Sequence, residues 1–154
     1  MSTFLRASVL AVASFGFAAP VFADKPDDKS KVKVEFRRAE TEAAEGLIEA
    51  KIEGSKNKIY LHKTPDATNA DIFSARVIVD EAKRVSIEIV FTKEGAKKIA
   101  TLSDEHKDKP VAILIDGKVI SAPTLRGNVS EKALISGQFT KEEADTIVAG
   151  IISK

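Results

Sequence analysis

Cysteine and tryptophan are absent from this 154-residue chain, and tyrosine and methionine occur once each. Without cysteine there is no disulfide framework, no thiolate nucleophile, no cysteine-based metal site and no lipid attached at a cleavage-site cysteine. An excess of one charge is missing too: 24 Lys and Arg are interspersed with 23 Asp and Glu. Nucleic-acid binders concentrate positive charge on one face, so no nucleic-acid partner is expected. Glycines such as Gly95, Gly117, Gly127 and Gly137 stand alone, which leaves no phosphate-cradling loop. Long hydrophobic runs are lacking except at 7–19, and thirteen residues span only about 20 Å as a helix, against roughly 30 Å of hydrocarbon.

What is present starts with that run. Met1 to Arg6 form a weakly basic start, 7–19 is uncharged, Pro20 breaks it, and Val21-Phe22-Ala23 offers small residues at the cleavage-reading positions. The pattern predicts a signal peptide over 1–23 with Asp24 as the first mature residue; an uncleaved anchor is the weaker alternative, because the run is short. Removing 1–23 removes Arg6 and no acid, leaving 23 cations and 23 anions. The expected product is exported and periplasmic, with a charged flexible leader over 24–33 and one domain over 34–154. A domain of this size buries roughly two-thirds of its unfolded surface, enough to stand without disulfides.

Period-two alternation predicts strands at Val32-Val34-Phe36, around 47–52 and 58–62, and most clearly at 75–79 and 85–91. Residues 38–45 read as a short helix or a loop. Asn69 is placed to cap one turn of helix, and Thr92 caps a helix whose buried stripe is Ala96, Ile99 and Ala100. Gly95 inside that helix suggests a close backbone approach. Ser103 to Lys109 reads as a solvated loop. Val111 to Ile115, five apolar residues in a row, reads as a central strand covered on both faces. Asp116-Gly117 then predicts a tight hairpin. Ser121 to Ser130 reads as an irregular excursion, Ala133 to Phe139 as a strand, and Thr140 with Glu143 as a capping box opening a helix with stripe Ala144, Ile147, Val148 and Ile151. The expected fold class is α+β: a mainly antiparallel sheet with two helices packed on one face.

In combination, Val34-Glu35-Phe36-Arg37, Tyr60–Lys63, TNADIFSA at 68–75, VFTKEGAKKIA at 90–100, VAILIDGKVISAP at 111–123 and ISGQFTKEEA at 135–144 resemble the head of the first large periplasmic domain of the SecD protein-export family. Asn69 departs from the family's usual glycine, a change that asparagine's tolerance of left-handed geometry makes benign. The resemblance implies that architecture and a link to protein export. It implies no proton-relay residue here, because SecD couples transport to proton flow through membrane helices that this chain does not contain.

The chemistry-bearing residues are sparse. His62 and His106 stand 44 positions apart with no metal-ligand spacing, and Asp104, Glu105, His106 and Asp108 lack the alternation and central glycine of a calcium loop. Ser121-Ala122-Pro123 has no nucleophile-elbow context, so a strand end broken by proline is the better reading. No enzyme, cofactor or metal is expected. The segment most suited to function is the 121–130 loop, with Ser121, Pro123, Leu125, Arg126 and Gly127 as candidate partner-binding residues. The leading expectation is a non-enzymatic binding module for polypeptide or an envelope partner, in export or envelope quality control. The alternative is a sensor or inhibitor domain detached from transport, acting on a signalling or peptidase partner. A small hydrolase would need Ser121 or His62 as a catalytic group.

Overall fold

The computed structural model describes residues 31–125 and 131–152, so the 1–23 signal, residues 24–30 of the leader, and Arg126 and Gly127 lie outside the described residues. The strands divide between two sheets rather than one. The larger contains β1 (Val34–Glu40), β2 (Ile48–Lys51), β3 (Lys58–Leu61), the short β4 (Ala67–Thr68), β7 (Val111–Ile115) and β8 (Lys118–Ser121). Its order is β2-β3-β1-β7-β8, with β4 beside β1. The smaller sheet is β5 (Ile72–Val79), β6 (Val85–Phe91) and β9 (Lys132–Ser136), in the order β5-β6-β9. The named strands pair antiparallel throughout. Past β2, Ile52 bridges to Val119, and the Glu53 N–H donates to the Val119 carbonyl at 2.8 Å. The larger sheet therefore curls until its two edges meet.

Alternation along β1 and β7 then makes two cores. Val34, Phe36, Val111, Ile113 and Ile115 face the smaller sheet, where they meet Ala75, Ile87, Ile89 and Ile135. The opposite face sends Ala39, Ala112 and Leu114 into the curl, against Ile59, Leu61 and Val119. All five residues of β7 are buried, which is why that strand has no polar positions.

Helices α1 (Lys93–Glu105) and α2 (Lys141–Ile152) complete the wider core with Ile99, Leu102, Ala144 and Ile151. The Gly95 N–H donates to Thr92 Oγ1 at 3.0 Å and starts α1. At α2, Thr140 and Glu143 exchange bonds of 3.2 and 2.8 Å, as a capping box requires. A β-carbon at Gly95 would overlap the Asp71 carbonyl oxygen, so the anticipated close backbone is the turn at Asn69–Asp71. Asp116 and Gly117 both have positive φ, +49° and +81°, and close the β7–β8 hairpin.

Four local expectations need correcting. Residues 38–40 continue β1, because β3 and β7 both pair there. Ser103 and His106 are buried rather than solvated. Asn69 does not cap the turn: its amide donates to the Val32 carbonyl at 2.8 Å and its oxygen accepts from the Val34 N–H at 2.7 Å. Val32 and Lys33, assigned to the flexible leader, are thereby strapped to the domain. Val32 is buried against Gly150, and Lys33 exchanges two 2.8 Å bonds with Asp116.

Candidate functional site

The stretch following β8 is irregular, as read from the sequence, but it is held against the start of β7 where it is described. Ser121 pairs with Ile113, the Val111 N–H donates to the Pro123 carbonyl at 2.9 Å, and the Leu125 N–H donates to the Lys109 carbonyl at 3.4 Å. Pro110 bridges to Thr124. The segment thus runs along the start of β7 as a pinned edge, and the proline sits where no ladder N–H is needed.

Pinned there, Pro123, Thr124 and Leu125 form one wall of an apolar pocket of about 260 Å³. Ile99 and Leu102 of α1 form a second wall, Ala133 and Leu134 of β9 a third, and Phe36, Phe91, Val111 and Ile113 the floor. Phe36 and Phe91 meet edge to face, with centroids 5.3 Å apart. Leu134 is 52% exposed, an apolar side chain held in water at the mouth. No charged side chain lines the pocket among the described residues. Its chemistry is the uptake of an apolar group. Of the predicted binding residues, Pro123 and Leu125 line it, Ser121 does not, and Arg126 and Gly127 lie outside the described residues.

The structure also gathers what the sequence separates. His62 and His106 pack edge to face, 6.0 Å between centroids. His106 Nε2 lies 3.0 Å from the Ala39 carbonyl oxygen, and His62 Nε2 lies 3.6 Å from Glu40 Oε1. Burial works against the charge on Glu40, but the hydrogen bond from Lys109 at 3.1 Å and the nearby imidazole of His62 outweigh it and hold its carboxyl below the usual range. Among the described residues no three His, Asp or Glu side chains are placed to hold a metal ion. The cluster joins the end of β1 to the end of α1.

A second carboxylate belongs to the frame. Glu35 is buried, with Lys33 Nζ at 2.8 Å and Arg37 Nη2 at 2.9 Å. Burial again opposes its charge, and the two cations more than offset that, lowering its pKa. Arg37 also donates to the Lys63 carbonyl at 2.6 Å, anchoring the chain after β3.

Residues 44–152 match the family model described as the SecDF P1 head subdomain. The chain belongs to that family. It is 37% identical over 84 residues to the protein translocase subunit SecDF of Thermus thermophilus, covering 54% of this chain and 11% of that protein. To the SecD subunit of Leptotrichia buccalis it is 30% identical over 139 residues, covering 88% and 34%. A solved structure of SecDF in its super-membrane-facing form superposes with a TM-score of 0.66 at 26% identity, over 80% of this chain and 19% of that one. A second SecDF structure gives 0.64 at 24% identity over 80% and 63%, a likeness of fold. The α+β class and the head architecture are therefore as the sequence motifs imply. The chain spans about a tenth to a third of the length of these two curated relatives. No helix among the described residues is long and apolar enough to cross a membrane.

Proposed function

We propose that this SecDF P1 head-like chain is an exported, periplasmic, non-enzymatic binding module that contacts polypeptide, or an envelope partner, in protein export. The observation that carries the reading is the uncharged pocket walled by Pro123, Leu125 and Leu134, an apolar opening on a rigid two-core frame. An extended segment inserts one apolar side chain there. Its main chain is met by an edge of the small sheet, where β5 and β9 are the outer strands. Backbone pairing gives affinity that tolerates many sequences, and the pocket adds preference for an apolar side chain. Two further facts support the link to export: the relatives are named as translocase subunits, and one solved relative is described as a membrane component that enhances protein export.

Titration of the chain with unfolded exported polypeptides, followed by fluorescence anisotropy, is expected to show saturable binding. Leu125→Ser and Leu134→Ser weaken it while the thermal melt stays cooperative. Absence of binding at high micromolar concentration removes the polypeptide reading, and binding unaffected by both variants moves it away from this pocket.

A further inference from the structure

We propose a second surface, independent of the apolar pocket: the groove between the N-terminal strap, the start of β5 and the end of α2 docks on an anionic phospholipid bilayer. Phe73 is 73% exposed, more than Ile48, Val79, Leu134 or Ile152, the other exposed large apolar residues among those described. The pairing of β5 with β6 slips between Ile72 and Ser74, and this bulge carries Phe73 out of the ladder. Beside it the groove encloses about 520 Å³, with Val32, Ile72 and Ile151 among its lining and the 45%-exposed Ile152 at its margin. Its charged lining residues are Lys31 and Lys33, and no carboxylate lines it among the described residues. Lys33 already has Glu35 at 2.8 Å, which leaves Lys31 as the main cation offered.

A protruding aromatic ring next to an ammonium matches the boundary between headgroups and acyl chains. The ring enters the apolar side of that boundary, and the lysine stays among the phosphates. An acidic peptide would also meet the lysines, but a ring standing mostly in solvent suits a yielding surface better than a partner of fixed shape.

Because the chain has no tryptophan, Phe73→Trp places a single reporter on this surface. With the full chain and vesicles of phosphatidylglycerol and phosphatidylethanolamine, its emission is expected to move to shorter wavelength and to be quenched by brominated lipid. A Leu134→Trp chain, reporting from the other pocket, stays unchanged. Lys31→Gln is expected to raise about fivefold the anionic lipid needed for half the shift, the effect of one cation near such a surface. Emission at position 73 that is unmoved on vesicles overturns the proposal, as does an equal response from both reporters. A shift that needs added polypeptide instead of lipid overturns it as well and assigns the groove to a protein partner.

Discussion

The two interiors of this domain use opposite faces of the same central strand and are finished in different ways. Inside the curled sheet, Ala39 and Ala112 are fully buried beside Ile59, Leu61, Leu114 and Val119, so the space is closed by alanines set between larger aliphatic side chains. Between the sheets, Ile87, Ile89 and Ile135 are equally buried, but helix, strand and edge segment converge without filling the corner beside Pro123 and Leu125. The alanines let the curled strands approach until nothing else fits, whereas room is left where three separate elements meet. The closed interior sets the shape of β1 and β7, and the open one leaves the apolar pocket beside Pro123 and Leu125.

The largest expected effect comes from breaking the wide interior. Ile89→Ala, at a position with no solvent exposure, should cost about 2–5 kcal/mol, because the surrounding sheet and helices cannot collapse onto the gap. Urea denaturation measures it, and a change well under 1 kcal/mol would mean that this layer is loosely packed. A smaller effect sharpens the contrast from the other side. Ala112→Leu adds bulk where the curled sheet has none to spare, and should cost about 1–3 kcal/mol. If the variant melts like the parent, the narrow interior is not filled as described. The smallest effect concerns acid. The folded-state pKa of Glu35 is lowered from 4.5, so the unfolded chain takes up the proton first. The stability contributed by the charged carboxylate is complete above about that value and is lost as pH falls through the lower, folded one. Glu35→Gln should therefore flatten the loss of stability below pH 4.5, and an acid limb as steep as the parent's would remove Glu35 from its cause.

Local chemistry explains what could be read from the residues alone. Asp116-Gly117 demands positive φ at both positions, Thr140 and Glu143 satisfy each other's backbone, and five apolar residues at 111–115 need cover on both faces; none of these depends on distant parts of the chain. The misreadings all depend on such parts. His106 looks solvated among charges until Ala39, 67 positions away, supplies its partner. Asn69 looks like a cap until the strap at Val32 and Val34 competes for its amide. The division into two sheets is likewise a matter of which strands meet, and alternation reports only which faces are apolar. The candidate site was half legible. Pro123 and Leu125 stood out as loop residues, whereas Ile99, Leu102 and Ala133 read as ordinary core, and only tertiary packing turns them into walls.

The strap has a consequence for the order in which structure can form. Lys33 bonds to Asp116 across 83 positions, and Val32 rests on Gly150 near the far end of α2. A chain delivered N-terminus first has nothing for β1 to pair with along β7 until some eighty residues have followed, and the strap cannot seat until the final helix arrives. Such long-range closure slows folding. It makes completion of the fold wait on the last turn of α2, where Gly150 receives Val32.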